Sequence, residues 1–308
     1  MKDNNILVIA FKYNDIFYAI NTEEFKYATK KYLIIFKTNN DLVFPFINLF
    51  DYVIYLKYKP KPKNILINIL KVIFHSFRKV KFDYAILSNI HLVTIELILT
   101  RWNITSIVLV EDGLLNYTMP LVSKNATSKI ILENLLNIST SSIKTKLKKS
   151  YFLSMNKSVL NGVKLTFKDN YIINKRIIHF LNNKKVFIGQ NVYDYCDINV
   201  DKYCKIVNQV INSNQIDLYL PHLYSNRENI KAPKLELNSY SCTLEMLAPY
   251  LNKLTIYSFN SSLLYTLKTI NNSVQTVMIK HNLIEKYYYR QTNYLKNIVD
   301  NVYVYNED

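Results

Sequence analysis

Two kinds of apolar pattern alternate along the first half of the chain. Ile6–Phe11, Tyr32–Phe36, Tyr52–Leu56, Tyr84–Ser88 and Ile107–Val110 are short, nearly continuous apolar runs rich in Ile, Val and Tyr. Runs of that length without a wet face predict strands buried on both sides. Between them, Asn64–Phe77 and His91–Trp102 carry apolar residues at helical spacing, which predicts helices with one buried face. Strand–helix alternation of this kind predicts a parallel sheet covered by helices on both faces, a Rossmann-like N-terminal domain.

The rhythm breaks between residues 120 and about 180, where Asn137–Lys149 is rich in Ser, Thr and Lys and reads as a linker or a mobile basic helix. It then resumes. Val186–Ile188, Leu218–Leu220, Leu254–Tyr257 and Val277–Ile279 read as strands; Val200–Asn212, Thr243–Leu251, Ser261–Ile270 and Leu283–Val299 read as helices. The expected organisation is one Rossmann-like domain over residues 1–180, with a basic linker at about 137–160, and a second over 181–308. Ligands of such sheets bind beyond the carboxyl ends of the strands, so those ends are where chemistry is expected.

Composition supports two cores. At 308 residues the chain exceeds what one core usually supports, and 49% apolar residues exclude disorder as a description of the whole. The net charge of +16 calls for a polyanion, an anionic membrane face or an anionic substrate. A nucleic-acid footprint is a clustered basic stripe with stacking aromatics. Here the basic runs stand apart, at Lys57–Lys63, Arg78–Lys81 and Lys144–Lys149, so nucleic acid is not the expected partner. The runs at 57–63 and 144–149, with the Tyr-rich segment Lys286–Lys296, suit peripheral contact with an anionic membrane, and a merely solvated basic surface accounts for them equally well. Three cysteines without metal-ligand spacing suit a reducing compartment. The N-terminus lacks a signal-peptide pattern, and no apolar run approaches the ~20 residues of a membrane span. The expectation is a cytoplasmic protein, soluble or held at the inner face of the membrane, for which a homodimer is compatible but unspecified.

Four segments carry candidate chemistry. The strand at 107–110 ends in Glu111-Asp112-Gly113, one of only three glycines in a chain biased toward Asn, Lys, Ile and Tyr. A glycine retained under such a bias marks a backbone requirement, and a carboxylate at a strand end can remove a proton from a hydroxyl nucleophile; a polar turn explains the same residues. Val186–Ile188 runs into Gly189-Gln190, a loop suited to a phosphate or base, without the spacing of a dinucleotide fingerprint. Leu218–Leu220 runs into Pro221-His222, with Arg227-Glu228 beyond. Such a histidine can bond or protonate a leaving phosphate, though a surface histidine is the plainer reading of it alone. Leu254–Tyr257 runs through Ser258 to Ser261-Ser262 at a helix start, where a cap and an anion site share one geometry. Glu245, in the preceding helix, can accept from ribose hydroxyls or simply face water.

In this order the four segments resemble bacterial GT-B sialyltransferases, most closely the lipooligosaccharide and capsule group, glycosyltransferase family 52. Glu111-Asp112-Gly113 matches that group's acidic-acidic-Gly segment. Pro221-His222 with Arg227-Glu228 matches Pro-His-Pro-Arg-Glu in part, Leu223–Asn226 intervening. Tyr257-Ser258-Phe259 with Ser261-Ser262 matches its serine pair, and Gly189-Gln190 looks similar. The likeness spans roughly residues 105–280. It implies an α/β GT-B fold of two Rossmann-like domains facing a central cleft, with the acceptor side at 1–180 and the nucleotide donor at 181–308, a CMP-sialic acid donor, a galactose-type hydroxyl as acceptor and inversion. It implies Asp112 as the base, with Asp194, Asp197 or Asp201 as alternatives. His222 would assist the departing phosphate, held by Ser261 and Ser262. Independently, no Asp-x-Asp pair exists in the chain, so a metal-independent reaction without a cofactor is expected. A GT-B transferase for another nucleotide sugar, and a non-catalytic basic membrane- or polyanion-binding protein, are the competing readings.

Overall fold

The computed structural model describes residues 4–37, 46–57, 62–113, 127–154, 162–167, 175–194, 196–222, 228–237 and 242–305. The chain divides into two compact units, Met1–Asn170 and Tyr171–Asp308; the expected boundary at 180/181 falls at the end of the second unit's first helix.

The first unit is a seven-stranded sheet in the order β3-β2-β1-β4-β5-β6-β7, parallel throughout. Its strands are β1 (Asn5–Ala10), β2 (Lys30–Lys37), β3 (Tyr52–Lys57), β4 (Phe82–Leu87), β5 (Ile104–Val110), β6 (Leu147–Phe152) and β7 (Val163–Lys164). The described helices are α1 (Tyr13–Ile20), α2 (Glu23–Lys26), α3 (Pro62–Phe74), α4 (Val93–Arg101), α5 (Thr127–Leu135) and α6 (Thr140–Lys146). The central strands are apolar on both faces because both are covered. Leu7 and Ile9 share a core with Ile69 and Val72 of α3, Ile95 and Leu99 of α4 and Ile143 of α6, which puts those helices on one side of the sheet.

Residues 140–152, expected as a linker or a mobile basic helix, form α6 and then β6, an interior strand between β5 and β7. Its apolar half, Tyr151 and Phe152, is buried while Lys148 and Lys149 lie toward its start.

The second unit is a five-stranded parallel sheet in the order β12-β11-β10-β8-β9. Its strands are β8 (Lys185–Ile188), β9 (Leu218–Leu220), β10 (Thr255–Ser258), β11 (Gln275–Lys280) and β12 (Asn301–Val304). Its described helices are α7 (Lys175–Leu181), α8 (Val200–Asn214), α9 (Leu244–Leu247), α10 (Ser262–Ile270), α11 (Asn282–Glu285) and α12 (Tyr289–Leu295). The helix expected over 283–299 is two short pieces around a run of tyrosines, residues that lose side-chain freedom in helices. Among the described residues no helix is long and apolar enough to cross a membrane.

Candidate functional site

Each sheet reverses its winding once, and the crevice at such a reversal is where open α/β sheets bind ligands. In the first unit it lies between β1 and β4, and in the second between β8 and β10.

At the first reversal, residues just beyond three strands converge. Lys12 follows β1, Asn89 follows β4 and Asp112 follows β5. Lys12 Nζ lies 2.7 Å from Asp112 Oδ1, and Asn89 Nδ2 donates to Oδ2 at 3.1 Å. The Asp112 side chain is only 2% exposed against 40% for Lys12, so the carboxylate is fixed from both sides while its cation reaches solvent. The Lys12 backbone is fixed in turn. Asp15 Oδ2, in the first turn of α1, accepts the N–H groups of Phe11 at 2.6 Å and Lys12 at 3.0 Å.

Asp15 Oδ1, the Ser88 hydroxyl and His91 Nδ1 are buried in this unit and have no hydrogen-bond partner among the described residues. Orphaned polar atoms of that kind are costly unless something polar meets them. Burial raises the Asp15 carboxyl above its ordinary value, and nearby Asp112 adds to this, while Lys12 and the two N–H bonds oppose it. Burial likewise lowers His91; Lys129 reinforces that and Asp112 opposes it. Glu96 in α4 is pushed up to about 7, chiefly by burial, against the pull of Lys129 at 2.9 Å.

The tandem carboxylates therefore divide. Asp112 meets Lys12 and Asn89, whereas Glu111 Oε2 accepts the Leu153 N–H at 2.8 Å, tying the end of β5 to that of β6. Gly113 supplies the exit, with φ 70 in the left-handed region where a side chain is strained.

At the second reversal, the loops after β8 and β10 are bonded together. Gln190 Oε1 accepts the Asn260 N–H at 2.9 Å and lies 3.3 Å from the Ser258 hydroxyl. That hydroxyl is fully buried and donates to the Ile188 carbonyl at 2.8 Å. The Gln190 N–H donates to the Tyr203 hydroxyl at 2.9 Å. Beneath Gly189, the buried Tyr219 hydroxyl donates to buried Glu228, and burial drives the Tyr203 and Tyr219 phenols up. A Cβ on Gly189 would stand 2.7 Å from Tyr219 Cζ, so only glycine lets the loop lie this close.

Ser261 caps α10, its hydroxyl accepting the Leu263 N–H at 3.2 Å, and Ser262 is exposed at the first turn. Pro221 and His222 are half-buried just beyond β9. Glu245 is buried in the first turn of α9. Of the alternative bases, Asp197 is exposed and accepts from the Tyr287 hydroxyl at 2.6 Å, and Asp201 is exposed in the first turn of α8. Asp194 ends a short turn and its side chain lies outside the described residues, as does Arg227.

Gly189, Gln190, Ser258 and Ser261 are thus gathered by one reversal, with Pro221-His222 at the end of the adjoining β9. Asp112 is held by the other. Lys12, Asp15, Asn89 and His91 went unnoticed in the sequence. A lone Lys or Asn in a loop carries no local signal, and Lys12 meets Asp112 across 100 positions.

No protein-family model and no curated protein matches the chain. Solved structures do. A 2,6-sialyltransferase from Vibrionaceae Photobacterium sp. JT-ISH-224, in a ternary complex with donor product CMP and acceptor substrate lactose, is similar with a TM-score of 0.57 at 15% identity, over 98% of this chain and 78% of that one. MurG of Acinetobacter baumannii gives 0.46 at 8% identity over 98% and 86%. A family 9 glycosyl transferase from Veillonella parvula gives 0.42 at 10% identity over 90% and 81%. At these identities the likeness is one of fold: two Rossmann-like α/β units, as in GT-B proteins.

Proposed function

We propose that the protein is an inverting, metal-independent sialyltransferase that moves sialic acid from CMP-sialic acid to a galactose-type hydroxyl of a lipooligosaccharide or capsular glycan. The observation that carries this reading is the Asp112 carboxylate, buried at a sheet reversal and oriented by Lys12 and Asn89. The segments that resemble family 52 support it: Asp112, Gly189-Gln190, Pro221-His222 and Ser258 stand at or just beyond strand ends. The fold of the CMP- and lactose-bound sialyltransferase supports it further.

In this reading Asp112 takes the proton of the acceptor hydroxyl as that oxygen attacks the anomeric carbon. The bond from that carbon to the CMP phosphate oxygen breaks, and CMP departs with the electron pair. His222 bonds or protonates the leaving phosphate, and the N-terminus of α10, with Ser261 and Ser262, meets its charge. Gln190 and Ser258 act by locking the loop that Gly189 opens.

Asp112→Asn should abolish transfer while leaving CMP affinity within about twofold, since it removes an interaction made only in the reaction. Near wild-type turnover would move the base elsewhere, Asp194, Asp197 and Asp201 being next to test. His222→Ala should lower turnover and CMP affinity together. Activity lost in EDTA and restored by manganese would contradict metal independence.

A further inference from the structure

Helix α3 is amphipathic in an unusual sense: both of its faces are apolar, and only one is covered. Its inner face is anchored firmly. Ile69 and Val72 are buried in the core, the Val72 carbonyl accepts the Trp102 indole N–H at 3.1 Å, and buried Asn68 clamps the end of β3 by bonding both the N–H and the carbonyl of Lys57. The outer face carries Leu66, Leu70 and Phe74, which are 58%, 47% and 74% exposed. Their four-residue spacing sets them in one stripe along the helix. Leu and Phe side chains that exposed, in a row on a rigidly held helix, mark an interaction surface rather than scatter.

Charge identifies what covers it. Between Asp51 and Asp83 the chain has no acidic residue. The described basic residues of that stretch, Lys57, Lys63, Lys71, Arg78, Lys79 and Lys81, are all exposed. The stripe therefore has lysines at its start and flank and a basic cluster just past its end. On the same side of the sheet, α5 beside α4 exposes Ile130, Ile131 and Leu135. The other basic runs are partly engaged within the protein. Lys149 pairs with Glu23 at 2.7 Å, Lys146 donates to the Leu99 carbonyl, and Lys296 pairs with Glu285 at 3.2 Å.

We infer that the outer face of α3 docks the protein on an anionic lipid bilayer. Leu66, Leu70 and Phe74 would enter the interface between headgroups and acyl chains, and the surrounding lysines and arginine would meet lipid phosphates. This surface stands independently of the donor and acceptor assignments.

Co-sedimentation with lipid vesicles tests it. Wild-type protein should pellet with vesicles of equal parts phosphatidylglycerol and phosphatidylcholine, release at high salt, and stay in the supernatant with phosphatidylcholine alone. A Leu66→Ser/Leu70→Ser/Phe74→Ser variant, all at exposed positions, should keep the wild-type melting temperature and circular dichroism yet bind the anionic vesicles at least tenfold more weakly. Lys63→Gln/Lys71→Gln should weaken binding by about tenfold and flatten its salt dependence. Wild-type protein that ignores anionic vesicles, or a triple-serine variant that binds them as wild type does, would overturn the inference. So would a wild-type dimer that the triple-serine variant alone dissolves, which assigns the stripe to a second copy, or salt-sensitive retention of duplex DNA without vesicle binding. None of these readouts involves turnover, so the docking surface and the transferase reading fail separately.

Discussion

Replacing Gly189 by alanine probes the second unit where its packing is tightest. The new Cβ would stand 2.7 Å from Tyr219 Cζ and nearer still to its hydroxyl. Ordinary contact begins at 3.4 Å, so the ring must move away from the loop by more than about 0.7 Å, and its hydroxyl by more than that, to recover it. The ring cannot give way freely. Tyr219 is fully buried, it stacks on Phe187 with centroids 6.2 Å apart, and its hydroxyl is bonded to buried Glu228. Overpacking a rigid site costs about 1–3 kcal/mol, and losing a bond to a charged group about 1.5–3 kcal/mol. The two are alternatives in part, so about 2–4 kcal/mol is expected. For a unit of this size that lowers its melting temperature by roughly 6–12 °C. Differential scanning calorimetry of the whole chain is the suitable assay, because the single tryptophan, Trp102, lies in the first unit. A cycle isolates the cause: in a Tyr219→Leu background the same alanine should cost less than about 1 kcal/mol. A single variant melting within about 1 °C of wild type would refute the packing argument.

Two predictions concern the first unit. Lys12→Met leaves the Asp112 carboxylate in its buried place without its cation. A fully buried pair broken this way costs about 3–5 kcal/mol, but Lys12 is partly solvated, so about 1–2 kcal/mol is expected from urea unfolding followed by Trp102 fluorescence; an unchanged midpoint would mean the pair contributes nothing. Glu96 has a folded-state pKa of about 7, above its ordinary 4.5, so the folded chain binds its proton more tightly than the unfolded chain does. That contribution to stability is complete below about 4.5 and is lost as pH rises through about 7. Glu96→Gln should flatten stability across that window, and an unchanged pH slope would count against the assignment.

The legible part of the fold is the part that is buried on both sides. β1, β2, β4, β5 and β8 to β11 announced themselves as apolar runs because parallel strands under helices have no wet face, whereas β3, expected to be buried on both sides as well, is a largely exposed edge strand. α1 was missed because it is only eight residues long and its polar Asp15 is buried with the apolar residues around it, so its helical period is brief. β6 was hidden by Lys148 and Lys149 at its start, and β12 by being a largely exposed edge strand. Motif reading singled out Asp112, Gly113, Gly189 and the serines, and the structure places them at or just beyond strand ends. Such reading did not find Lys12, Asn89, Tyr203 or the bond by which Tyr219 holds Glu228, because those roles exist only when distant loops meet. Gln190, expected to contact the donor, has its side-chain carbonyl engaged with the Asn260 backbone N–H, a bond that no local pattern announces.

Release of CMP from CMP-sialic acid is the measurement that bears most directly on the function proposed. The purified protein, with EDTA present, should liberate CMP from this donor, faster when lactose is added, and should leave UDP- and GDP-sugars intact. No CMP release under these conditions, or turnover of a UDP- or GDP-sugar instead, would contradict it.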